Sequence, residues 1–169
     1  MKVSVIITSK DEFPRLRLCL IALGRQTVRW GSDAELILVD DGSAIAITPE
    51  NLPAGAPQMR IIRNDPSRGR SASRNAGAAL ARGSRLLFLD GDVLLSPDAV
   101  ERHGMLRDDE MGRGEQRHLR GTRFFLDPRT GEPWPGKEGK VKSMGRIDPY
   151  LVTEEMVASL PYEKLLERS

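Results

Sequence analysis

The chain has 169 residues, 39% apolar and 30% charged, with 26 Lys and Arg against 24 Asp and Glu. That balance excludes an intrinsically disordered chain and gives no concentrated basic face for nucleic acid. A single cysteine, Cys19, allows no internal disulfide and fits the cytosol.

The N-terminal run "KVSVIIT" is apolar and β-branched, which reads as a buried strand. It is broken by "SKDE" before a signal-peptide core or a membrane span could form. From Phe13 to Gln26, Leu16, Cys19, Leu20 and Leu23 recur at helical spacing, and Cys19 reads as a small core residue rather than a reactive thiol. Trp30 is expected to pack over the end of this helix. "ELILVD" and "MRIIRN" are further buried strands. "SASRNAGAALA" is Ala-rich and helical, with Ser71 or Ser73 near its start. "RLLFLD" is a fourth strand, and "PDAVERHGML" opens a helix with Pro97 in its first turn.

Beyond about residue 105 the pattern changes. "HLRGTRFFL" has the residue types of a fifth strand, and residues 127–149 are rich in Gly, Pro and Lys, as in a long loop. Thr153 and then Ser159 with Pro161 mark two short helices. No repeat or linker divides the chain, so 1–169 reads as a single domain.

Strands that alternate with helices argue for parallel pairing with helices on both faces. Ligands of such sheets bind beyond the carboxyl ends of the strands. Three polar clusters fall there: Thr8 to Glu12, Asp40 to Ser43, and Asp90 to Asp92. Strand alternation would put Asp90 and Asp92 on one side, a hard oxygen pair suited to Mg²⁺ or Mn²⁺. Arg68, Arg70 and Arg74 crowd a predicted helix start, where free N–H groups favour anions. Each cluster alone has a plain alternative as a turn, a salt bridge or a solvated loop.

In order and spacing, "VSVIITSKDEFPRLRLCLIALGRQT", "ELILVDDGS" and "RGRSASRNAGAALARGSRLLFLDGDVLLSPDAV" resemble the nucleotide-binding half of family 2 glycosyltransferases. The resemblance spans residues 3 to about 103. It implies a GT-A fold: an α/β, Rossmann-like three-layer sandwich with a mostly parallel central sheet. It also implies transfer of a sugar, with inversion, from a nucleotide-sugar donor such as a UDP-sugar, assisted by Mn²⁺ or Mg²⁺. Residue by residue, Thr8 and Glu12 would line the nucleotide pocket and Asp41 would contact the base. Arg74 would lie near the nucleotide, Asp90 would face the ribose or the metal shell, and Asp92 would ligate the metal. Where the family often has Pro-Thr-Tyr-Asn, this chain has Thr-Ser-Lys-Asp, so Lys10 would add charge near the diphosphate.

The family's general base, in a "WGxED"-like stretch, has no counterpart here. Asp127, Asp148, Glu154 and Glu155 are the downstream acids, and none has the expected neighbours. The catalytic base is therefore unassigned, and the expectation is a nucleotide-sugar-binding part at 1–105 followed by a short or truncated acceptor part at 106–169. The alternative is a non-catalytic nucleotide-binding or partner module. The acceptor class is open among glycan, lipid, protein and small molecule. A homodimer or a partner is expected to cover the missing half, and the place is the cytoplasm, including the inner membrane face. His103 and His118 lack metal-site spacing, Trp134 is a candidate for stacking on a sugar, and a dehalogenase-like reading of "FLDGDVLL" leaves "VDDGS" without a role.

Overall fold

A computed structural model describes residues 2–105. The expected fifth strand, 127–149 loop and two last helices, with His118 and Trp134, lie outside the described residues. Within them the elements run β1 (Val3–Ser9), α1 (Phe13–Gly24), β2 (Ala34–Asp40), β3 (Met59–Arg63), α2 (Arg70–Ala79), β4 (Arg85–Asp90) and α3 (Ala99–Met105). A short 3₁₀ turn, Pro49–Asn51, lies between β2 and β3.

The four strands form one parallel sheet in the order β3-β2-β1-β4. β1 and β2 occupy the middle, and every residue of β2 is buried. Such strands must be apolar on both faces, which is why "ELILV" carries no alternation. The exception is Glu35, whose carboxylate is satisfied by Ser4 Oγ (2.7 Å), Arg82 N–H (2.6 Å) and Arg60 Nη2 (2.7 Å).

One face carries α1 and α3. Leu16, Cys19, Leu20 and Leu23 of α1 join Val100 of α3 against Val3, Val5, Ile7, Leu36, Leu38 and Leu89. Burying each such Leu, Ile or Val side chain contributes about 1.5–3 kcal/mol. Trp30 donates from Nε1 to the Leu23 carbonyl at 3.2 Å, which also accepts from Gln26 N–H at the end of α1.

The other face carries α2, seated through Gly77: a Cβ there would stand 2.5 Å from Ile6 Cγ2 and 3.3 Å from Val39 Cγ2. The helix starts after Gly69 without a side-chain cap. Ser73 is not a cap; it lies inside α2 and donates back to the Gly69 carbonyl at 3.0 Å. Leu86 and Phe88, in register with Ser4 and Ile6, share this face at 40% and 44% exposure. No helix among the described residues is long and apolar enough to cross a membrane.

After β3 the chain turns back: α2 carries it across the sheet to β4, on the far side of β1. The strand order therefore reverses about β1, and the crevice at the carboxyl ends of β1 and β4 is where such sheets take ligands.

Candidate functional site at the carboxyl edge of the sheet

Three of the sequence-predicted residues meet at this crevice. Thr8 is the register partner of Asp90, so the two side chains share the α2 face of adjacent strands. Arg74 reaches from α2 to Asp90, Nη2 to Oδ1 at 2.7 Å. Both members of this ion pair are about one-third exposed, so a ligand entering the crevice meets them directly.

Asp92 is placed differently from the alternation argument. β4 ends at Asp90, and Val93 N–H closes a turn onto the Asp90 carbonyl at 3.2 Å. Asp92 lies in that turn and is exposed, so the two aspartates are not successive residues of one strand face. Its charge bears on Cys19 of α1, whereas Asp90 turns to α2. The donor set suits a hard divalent cation, being carboxylate oxygen at an open edge. Among the described residues no group of three or more His, Cys, Asp or Glu gathers around a common point. Of the described residues, Asp90 and Asp92 would each offer carboxylate oxygen at this edge, with water and ligand oxygens completing a shell.

Lys10 and Glu12 are exposed in the loop after β1. Glu12 pairs with Arg15 at 3.5 Å, and its carbonyl accepts the first backbone bonds of α1.

Asp41 is buried, and its carboxylate is engaged by its own chain. Oδ1 accepts from Asn64 Nδ2 and Arg68 N–H, and Oδ2 from Ser67 Oγ and Gly69 N–H, all at 2.8 Å. An ionised carboxylate offers about four lone-pair sites, and these donors match that number. Burial pushes the Asp41 carboxyl up, but the Arg68 N–H, Asn64 and Ser67 bonds outweigh it and hold it well below the usual carboxylate range. Asp41 thereby fixes the loop from Asn64 to Gly69 and the start of α2.

Sequence reasoning placed Asp40 and Asp11 within the polar clusters but gave neither a role. Asp40 is fully buried, accepts from Ser43 N–H at 2.9 Å and Ile47 N–H at 3.2 Å, and pairs with Arg63. Alternation could have found it, because Asp40 continues the face of Leu36 and Leu38 and so must point into the core side. Asp11 lies in the loop after β1 and bonds across to Ser43 and Ala44. Its signal was weaker: aspartate is one of the few residues that tolerate a left-handed turn.

The described residues resemble those of known proteins. The family model described as Glycosyl transferase family 2 matches residues 4–105. An uncharacterized glycosyltransferase of Haemophilus influenzae is 33% identical over 99 residues, 59% of this chain and 32% of that protein. The succinoglycan biosynthesis protein ExoO of Rhizobium meliloti is 41% identical over 73 residues, 43% of this chain and 21% of that protein. Among solved structures, S. aureus TarS 1-349 in complex with UDP-GlcNAc superposes with a TM-score of 0.58 at 19% identity. That match covers 70% of this chain and 37% of that one, and at such identity it shows the shared fold alone. The chain spans about a third of the length of the H. influenzae relative and about a fifth of ExoO.

Proposed function

Because the chain belongs to glycosyl transferase family 2, we propose that residues 2–105 form the donor-binding part of an inverting enzyme that uses a UDP-sugar. The observation that carries this reading is the meeting of Thr8, Arg74 and Asp90 at the crevice where the strand order reverses. The TarS structures in complex with UDP and UDP-GlcNAc support the choice of nucleotide.

In this reading Arg74 is the cationic side chain on the donor's diphosphate, a charge-assisted contact that strengthens as the leaving group gains negative charge. Asp90 orients Arg74 across the crevice and turns to the ribose or the metal shell when the donor enters. Thr8 and Glu12 line the nucleotide side, and Lys10 adds positive charge beside the diphosphate. Asp41 serves the pocket by holding the loop from Asn64 to Gly69; a base contact through its carboxylate requires one of its present donors to give way.

Asp92, with Asp90, would hold Mg²⁺ or Mn²⁺. Such an ion supplies Lewis-acid neutralisation of the leaving diphosphate when bound. The acceptor and the base that removes its proton are assigned to none of residues 2–105.

Calorimetric titration with UDP, with and without Mn²⁺, tests the reading. We expect binding that the ion strengthens, and loss of that strengthening in Asp92→Ala. No binding of UDP by the wild-type chain overturns the donor-binding reading. An Asp92→Ala chain that responds to Mn²⁺ as wild type does overturns the metal role.

A further inference from the structure

Asp11 has φ +53° and is the one non-glycine residue with a positive φ among the described residues. For an L residue the left-handed region costs on the order of 1 kcal/mol, less for Asp and Asn, whose short polar side chains can bond locally. Here the bonds are not local in sequence. Asp11 N–H donates to Ser43 Oγ at 3.0 Å, and Asp11 Oδ1 accepts from Ala44 N–H at 2.7 Å. The loop after β1 and the loop after β2 are thus tied by a reciprocal pair.

Ser43 is itself anchored. Its N–H donates to Oδ1 of the buried Asp40 at 2.9 Å, and its carbonyl accepts from Arg63 Nη2 at 2.8 Å. A further tie runs between the same two loops, from Asp41 N–H to the Ser9 carbonyl at 2.8 Å. The bend at Asp11 is therefore fastened, through Ser43, to the buried end of β2. Lys10 and Glu12 flank that bend, so a change of φ at Asp11 would redirect both.

We propose that Asp11 is a positioning residue: its left-handed backbone and its bonds to Ser43 and Ala44 lock the nucleotide-side loop before the donor arrives. The proposal rests on the donor-binding reading above. Asp11 acts through the loop and not by touching the ligand, and the gain is preorganisation, because the ordering of the loop is complete before binding.

Three variants of the full 169-residue chain separate its parts. Asp11→Asn keeps an acceptor oxygen and the tolerance for positive φ. Asp11→Gly keeps the backbone freedom and loses the acceptor, and Asp11→Ala loses both. Melting curves establish that each variant is folded at the assay temperature. Without ligand, exchange at the Ala44 amide should accelerate roughly tenfold in the Gly and Ala variants, the loss of one hydrogen bond. Tryptic cleavage after Lys10 should quicken in the same order, with Asn close to wild type. With UDP, affinity should be near wild type for Asn, lower for Gly and lowest for Ala, down about tenfold.

Ala44 exchange and UDP affinity both unchanged in Asp11→Ala overturns the proposal. So does an Asn variant that binds as poorly as Ala, since that pattern demands the charge and hence a direct contact with the ligand or its metal. If the wild-type chain binds no UDP, the donor-binding reading falls. Exchange and cleavage then decide by themselves whether Asp11 locks the loops.

Discussion

Arg74 and Asp90 join α2 to the end of β4 through a 2.7 Å contact between Nη2 and Oδ1, with both side chains still about one-third open to solvent. An ion pair so exposed contributes little to folding, about 0–1 kcal/mol. Its place at the crevice matters more. Arg74→Ala should therefore lower stability to urea by less than about 1 kcal/mol. The same change should weaken UDP binding by about tenfold or more, the scale of a lost charge-assisted hydrogen bond. Paired urea and calorimetric titrations measure both effects on one sample. A large loss of stability with unchanged affinity would make Arg74 a structural strut.

Gly77 seats α2, and hence Arg74, against the sheet. A methyl group added there would lie 2.5 Å from Ile6 Cγ2. Alanine is the better helix former by about 1 kcal/mol, so an unconstrained helix would gain from the change. Contact decides instead, because β1 and β2 are buried on both faces and Ile6 has no room to retreat. Gly77→Ala should cost about 1–3 kcal/mol by overpacking and lower UDP affinity as α2 lifts. A rise in melting temperature would refute this.

The strands were legible because their apolar runs are short, β-branched and bounded by polar turns. β4 was expected and found at residues 85–90. Placing Asp41 and Asp90 at strand carboxyl ends was equally direct, since both follow such runs. The bonding of Asp41 was not legible, because its donors come from residues 64–69, brought over by the register of β3 on β2. Nor was the separation of Asp90 from Asp92, since alternation holds only while the strand lasts and the turn to Val93 ends it. Sequence pattern shows where a strand stops to within a residue or two, and here a two-residue spacing hung on that margin.

Cys19 supplies a check on the core. Burial pushes its thiol up to about 12, with the Asp92 charge acting in the same direction. At pH 8 the native protein therefore holds the unreactive thiol form. Ellman's reagent should label the native chain no faster than global unfolding exposes Cys19, and promptly in urea. Fast labelling at pH 8 without denaturant would mean that α1 opens locally.

Glu35 lies at the amino end of β2, opposite the crevice, and its carboxylate is shared among Ser4, Arg60 and Arg82. Burial raises its pKa, but the Ser4 hydroxyl, the Arg82 bonds and the Arg60 charge bring it from 4.5 down to about 2. The unfolded chain thus takes up the proton first as pH falls. The stabilisation from Glu35 is complete above pH 4.5 and drains away as pH drops towards 2. Glu35→Gln should remove roughly 2–3 kcal/mol at neutral pH, because arginines at the β2 edge lose their counter-charge. Its urea midpoint should then fall less steeply with acid than that of wild type. Some acid sensitivity should remain, since Asp40 and Asp41 are also held below the usual range. UDP affinity should not change at all, as β2 is about 20 Å long at 3.3 Å per residue and separates Glu35 from the crevice. An affinity that fell in parallel with stability would mean that the two ends of the sheet are coupled.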